Sequence, residues 1–276
     1  KMHEDTHTDR AKSDVQDDQD AEQPAHETSD VGGMEPLLNA KLPAQFLVCS
    51  RRNSGKSTLV ASLLYQWLKM KRFDGHSIVV FSATAAHNSE YSWLPPENVR
   101  HGWDEELARK VIQWQKRRLA LKKKQATRAG IGVKLPGLCF VLDDIVGTRS
   151  LDIAHSPVIR WLYCSGRHIK ASTVLCSQLS RVICNPTIRS QSDYVLTSSL
   201  ASDQLDSVWR ITSGLSWKEF LAKVHQLDDY KFLCYDSVIA KGNRWHEMKA
   251  PLAPKFKIEY KNHKKPDKKK DDAKKS

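Results

Sequence analysis

Ser50-Arg51-Arg52-Asn53-Ser54-Gly55-Lys56-Ser57 is the stretch whose reading decides the fold. It follows an apolar run, Phe46-Leu47-Val48-Cys49, and opens a helical pattern that runs from Ser57 to Met70. Strand, loop, helix is the setting in which the pattern G-x-x-x-x-G-K-[ST] has a mechanism. Successive backbone N–H groups of such a loop turn inward and cradle phosphates, aided by the helix N-terminus. Lys56 is placed to reach the β- and γ-phosphates and the Ser57 hydroxyl to ligate Mg²⁺, so residues Ser50, Arg51, Arg52, Asn53, Ser54, Gly55, Lys56, Ser57 and Thr58 form the expected ATP site. The first glycine of the pattern is here Ser50, at a position that asks for a tight turn.

Working outward, short apolar runs alternate with helical patterns. Phe46–Cys49, Ser77–Ser82, Leu138–Leu142, Ser172–Ser177, Tyr194–Thr197 and Lys231–Tyr235 read as strands. Continuous runs such as Ile78-Val79-Val80-Phe81 suit strands buried on both faces, as in a parallel sheet covered by helices. Leu59, Leu63, Leu64 and Trp67 give one apolar helical stripe. Leu107, Val111 and Trp114 predict another, with Asp104 as N-cap. Pro157–Ser165 reads as a further helix, and Ser216-x-x-Glu219 as a capping box leading a last helix into a final strand. The alternation predicts an α/β domain: a mostly parallel sheet with helices on both faces, of the P-loop NTPase kind.

Composition divides the chain of 276 residues into three. Residues 1–36 are acidic, with net charge −8, and almost free of large apolar side chains, so they are expected to form a disordered tail. Residues 261–276 form a basic tail of net +5, suited to tethering DNA or to serving as a nuclear localisation signal. The ATPase domain is expected between them, over 37–260. With a total of +12, the middle carries about +15, an excess that points to a polyanion partner. Nine basic residues lie between Arg109 and Arg128, and the run continues into Gly130-Ile131-Gly132. Lys116, Arg117, Arg118, Lys122, Lys123, Lys124 and Arg128 are the candidate DNA contacts; no base-reading motif accompanies them. The alternative for this run is a solvated helix face.

The six cysteines show no C-x-x-C pair and no zinc spacing, and Cys49, Cys139 and Cys176 lie in strand-like runs. That pattern suits a reducing intracellular compartment. No apolar stretch is long enough for a membrane span, and no membrane partner is expected.

Two further motifs carry chemistry. Leu138-Cys139-Phe140-Val141-Leu142-Asp143-Asp144 is an apolar strand ending in two carboxylates. Asp143 fits the acid that holds the Mg²⁺ shell, and Asp144 the acid that polarises the attacking water. After Gly166-Arg167-His168 comes the strand 171–177, ending at Gln178. An amide there can hydrogen-bond both a γ-phosphate and the attacking water. Taken singly, Asp143-Asp144 also suits a turn, and Gln178 a helix cap.

In order along the chain, these motifs and the Phe81-Ser82-Ala83-Thr84-Ala85 strand end resemble the FtsK–HerA superfamily of DNA-pumping ATPases. The likeness is greatest to the poxvirus-type genome-packaging ATPases of large DNA viruses and Polinton-like elements, and spans roughly Leu42 to Tyr235. The resemblance implies ATP hydrolysis coupled to movement of double-stranded DNA by a homo-oligomeric ring, acting with a capsid or portal-like vertex component. It implies an arginine finger given to a neighbouring subunit: Arg167, or Arg189 after Asn185-Pro186. It also implies a site of action in the host cytoplasm (a virus factory), in the nucleus, or with the virion. A cellular translocase of the superfamily and a weakly hydrolysing DNA-binding scaffold are the alternatives. The departures are Ser50 for glycine and Asp144 where cellular members carry glutamate.

Overall fold

The computed structural model describes residues 33–85, 89–129, 135–145, 156–178 and 185–251. Both expected tails apart from residues 33–36, the Gly130-Ile131-Gly132 loop and Cys184 lie outside them. Eight strands form one sheet: β1 Gln45–Cys49, β2 Ile78–Ser82, β3 Val99–His101, β4 Leu138–Asp143, β5 Ala171–Ser177, β6 Tyr194–Thr197, β7 Lys231–Asp236 and β8 Trp245–Lys249. Their order is β3-β2-β4-β5-β1-β6-β7-β8. The first six positions pair in parallel, and β7 and β8 close one edge antiparallel.

The strand sequences explain the layering. Successive residues point to opposite faces, and both faces are buried. Leu47 and Cys49 enter one core with Phe81, Phe140 and Leu175, while Phe46 and Val48 enter the other with Val80, Val141 and Val174. The second core is covered by α1 Glu35–Leu38 and α2 Lys56–Lys69. The first is covered by α3 Glu105–Ala129, α4 Pro157–Ser165, α5 Pro186–Gln191, α6 Ser202–Trp209 and α7 Trp217–His225. Packing begins earlier than the expected boundary at 37, because Met34 is fully buried beneath α2 and β8.

Two helices show how sequence sets placement. The stripe Leu59, Leu63, Leu64 and Trp67 of α2 is buried as expected. On α3, Asp104 does cap the helix, accepting from Leu107 N at 2.8 Å. Its buried face, however, is Ala108, Ile112, Gln115 and Leu119, whereas Trp114 is 45% exposed. Of the expected stripe, Leu107 and Val111 pack at the margin of this core and only Trp114 turns outward; Gln115, which reads as polar, takes the buried place beside it. Its amide donates to the carbonyls of Pro136 and Ile169, both at 3.0 Å, which satisfies it inside the core.

Those two carbonyls lie just before β4 and β5, so at Gln115 the helix has already reached the N-terminal edge of the parallel strands. At 25 residues α3 is about 37 Å long, against about 20 Å for β4. Its last half therefore overshoots that edge.

Candidate nucleotide site

The site gathers at the C-terminal ends of β1, β4 and β5, neighbours in the sheet. After β1 the chain turns through Asn53 and Gly55, both at positive φ (59° and 88°), into α2. Gly55 is the N-cap and offers no side-chain cap, so the first N–H groups of α2 remain open to an anion. Ser50 does more than stand in for glycine. It is fully buried, its N–H donates to Ser177 O at 3.2 Å, and its hydroxyl pairs with that of Ser198 beyond β6. The loop is thereby tied to both neighbouring strands.

Lys56 is not a solvent-facing lysine. It is 6% exposed, and its ammonium donates to Ser50 O at 3.0 Å and Arg51 O at 2.7 Å, holding the charge across the loop. Thr58 Oγ1 donates to Glu90 Oε1 at 3.0 Å, which sets a carboxylate on the rim.

Asp143 ends β4 almost wholly buried. Its Oδ2 accepts from the Tyr91 hydroxyl at 3.1 Å, while Oδ1 has no hydrogen-bond partner. Burial pushes this carboxyl above the usual carboxylate range; the Ser57 and Tyr91 hydroxyls oppose the shift, and Asp144 and Glu90 reinforce it. A buried, bare carboxylate oxygen beside Ser57 fits the demand of a divalent cation. Among the described residues no group of three or more His, Cys, Asp or Glu forms a metal cluster. Mg²⁺ needs none, since one carboxylate, a hydroxyl, phosphate oxygens and water complete its shell.

Asp144 stands at φ +52°, and its Oδ2 accepts from the Gln178 amide across the mouth of the cleft. The fold thus joins two residues singled out separately in the sequence. The cleft has a volume of about 620 Å³ and is lined by the loop from Arg52 to Thr58 with Thr84, Glu90, Asp143, Asp144, Gln178 and Tyr230. Of the five non-glycine residues at positive φ among those described, three (Asn53, Asp144 and Tyr230) line it. Strained backbone concentrates where geometry is needed for function.

The arginine candidates lie elsewhere. Arg167 precedes β5 and Arg189 precedes β6, at the sheet edge opposite the cleft. The seven residues of β5 separate Arg167 from Gln178 by roughly 20 Å. Arg167 donates to Gln191 Oε1 at 3.0 Å, and its charge steadies the half-buried Asp193.

The basic helix α3 divides in two. Arg109 and Lys110 pair with Glu105 and Glu106, both at 2.6 Å. Arg118 pairs with Asp74 at 2.9 Å and lies over the Trp114 ring, and Lys116 lies over Trp161. Arg117, Lys122, Lys123, Lys124 and Arg128 project into solvent from the overshooting half.

Sequence reading missed Tyr91, Glu90, Ser198 and Tyr230. None belongs to a motif, and Tyr230 lies 175 positions after the Gly55 it packs on.

A phosphate loop after a central parallel strand, with an acid at the end of a nearby strand, defines the protein as having the P-loop NTPase fold. No protein-family model and no curated protein matches the chain. Among solved structures it is similar to the genome packaging NTPase B204 of Sulfolobus turreted icosahedral virus 2 in complex with ATP-gammaS. That match has 18% identity and a TM-score of 0.50, covering 76% of this chain and 98% of that one. It is also similar to the cytoplasmic domain of the Type VII secretion ATPase EccC of Thermomonospora curvata (14% identity, TM-score 0.53, 76% of this chain). A third is EssC (ATPases 2 and 3) of Geobacillus thermodenitrificans (13% identity, TM-score 0.53, 77% of this chain). The chain spans 24% of the EccC structure and 40% of the EssC structure. At these identities the likeness is one of fold, and it is the fold that the resemblance to FtsK–HerA ATPases implies.

Proposed function

We propose that the protein is an ATP-driven double-stranded DNA translocase that packages a viral or viral-like genome into a capsid. The observation that carries the hydrolytic half is the pairing of a bare, buried Asp143 oxygen beside Ser57 with the Asp144–Gln178 couple across the same cleft. Asp143 and Ser57 would hold Mg²⁺, which when bound neutralises charge on the β- and γ-phosphates. Lys56 and the open N–H groups of α2 take the phosphate oxygens. Gln178 orients a water and Asp144 accepts its proton as the water oxygen attacks the γ-phosphorus. The bond from phosphorus to the bridging oxygen breaks, and ADP leaves.

The DNA half rests on the free cations of α3 and on the net charge of the chain. B204, a genome packaging NTPase of the same fold, is the neighbour that supports it. A ring of like subunits at a capsid or portal-like vertex is the assembly this reading requires, within the infected cell or the virion. One observation favours a second reading, a DNA-binding scaffold with weak hydrolysis: Asp144 is the shorter acid and is already held by Gln178. ATPase assays with and without double-stranded DNA separate the two. A motor shows Mg²⁺-dependent turnover that rises with DNA, whereas flat turnover with nucleotide-dependent DNA binding favours the scaffold.

A further inference from the structure

Two gaps in the charge pattern mirror each other. Between Glu106 and Asp143 the chain holds no Asp or Glu, and between Lys12 and Lys41 it holds no Lys or Arg. The first gap contains the overshooting half of α3; the second contains Asp14, Asp17, Asp18 and Asp20, four acids within seven residues. We infer that the cationic face of α3 is the docking surface of this acidic segment of the same chain, which competes there with DNA. The docking itself needs only the two charge runs, whereas the competition rests on the DNA reading of the proposed function.

Three observations carry it. The first is the state of the helix. The cations of its first half are occupied, Arg109 and Lys110 by Glu105 and Glu106, Arg118 by Asp74, and Lys116 by the Trp161 ring. Arg117, Lys122, Lys123, Lys124 and Arg128 face solvent and pair with no carboxylate among the described residues. Lys124 and Arg128 stand at i and i+4, a spacing at which like charges repel along a helix. A polyanion laid on this face relieves that repulsion.

The second is the chemistry of the occupant. Residues 1–32 carry ten acidic and three basic residues, a net charge of −7, and almost no large apolar side chains. Such a segment has little to offer an apolar groove and much to offer a row of cations. The third is reach. The described chain starts at Gly33, against the Glu247 carbonyl of edge strand β8. From β8 to β4 is five strand spacings, and with the length of the sheet and the overshoot the cations lie on the order of 40 to 50 Å away. Extended, the chain from Gly33 spans roughly 43 Å to Asp20 and roughly 63 Å to Asp14. A tether of this length holds the acids near the helix at an effective concentration that populates even weak docking.

The test joins carboxylates to contacting amines with a carbodiimide, on the full chain at about 50 mM salt. Peptide mapping should show the acids of 14–20 joined to Lys122, Lys123 and Lys124 on the order of fivefold more often than to the exposed Lys71 and Lys241. The yield should not change on dilution and should vanish near about 0.5 M salt. Asp14→Asn, Asp17→Asn, Asp18→Asn and Asp20→Asn together should tighten double-stranded DNA binding on the order of tenfold. On a Lys122→Gln, Lys123→Gln, Lys124→Gln background the same changes should gain less than about twofold. Circular dichroism confirms that each variant is folded. Even joining to all lysines, or an equal gain on both backgrounds, overturns the inference, because the acids would then act through net charge alone. A yield that falls on dilution also overturns it, since the contact would lie between copies. Failure of the DNA reading looks different: the α3 cross-links form, and no variant binds DNA.

Discussion

Lys56 spans the loop from within, donating to two of its carbonyls, so under the proposed function its removal costs both a phosphate contact and a little loop order. Lys56→Ala is expected to abolish detectable ATP binding and to lower stability by about 1 kcal/mol, a net hydrogen bond's worth. Wild-type turnover in the folded variant would refute the site. Asp143 yields a sharper expectation. Because burial raises its carboxyl above the unfolded value, the folded protein holds that proton more tightly than the unfolded chain. The fold therefore loses stability as pH rises from the unfolded-state value through the folded one. Asp143→Asn should then melt higher than wild type at pH 7.5 in EDTA, a gap that narrows as the pH is lowered. The same variant should lose Mg²⁺-dependent nucleotide binding. Asp144→Asn, by contrast, should bind nucleotide normally and hydrolyse it about 10²-fold or more slowly. Identical behaviour of the two variants would show that the adjacent acids do not divide the labour.

Among the elements, α3 separates packing from charge along one helix. Its first half is fixed by Ala108, Ile112, Gln115 and Leu119, and its second half carries cations beyond the sheet edge. Replacing Lys122, Lys123 and Lys124 with Gln should weaken DNA binding equally across sequences and flatten the slope of log K against log salt by up to about 3 units. Basal ATPase should persist, since the cleft lies at the other edge. Unchanged salt dependence would move the DNA path elsewhere. Arg118 is a poor choice for this experiment: its ion pair with Asp74 and hydrogen bond to Ser77 tie α3 to the sheet, so its loss mixes stability with binding.

For the whole molecule, the sheet sets nucleotide and arginine candidates at opposite edges. Arg167 cannot reach its own cleft, so any catalytic role needs a second copy of the chain. Arg167→Ala is expected to bind ATP yet hydrolyse it up to about 10³-fold more slowly. Mixed with Lys56→Ala under conditions of subunit exchange, it should regain activity at interfaces that combine an intact loop with an intact arginine. No recovery in mixed oligomers confirmed by native mass spectrometry would shift the role to Arg189 or remove it, leaving Arg167 as the partner of Gln191 and Asp193.

The phosphate loop, the strand acids and the six inner, buried strands were legible in the chain because each is a local pattern: a run of apolar residues, a turn residue, a charge at a strand end. Edge strands β3 and β8 were not, since they are short or alternate with exposed polar residues and resemble loops. On α3 the sequence placed Trp114 inward where Gln115 is buried, because a satisfied glutamine looks polar until its carbonyl partners are known. Sequence alone determined that a loop of the phosphate-binding pattern, two acids at a strand end and a basic helix exist. Only the tertiary structure decided which of them meet. Asp144 finds Gln178 and Gly55 finds Tyr230 through strand order, and Arg167 is carried to the far edge by the direction of β5. Pairings across 34 or 175 positions leave no periodicity in the chain, because they arise from the packing of a sheet that no single segment can form.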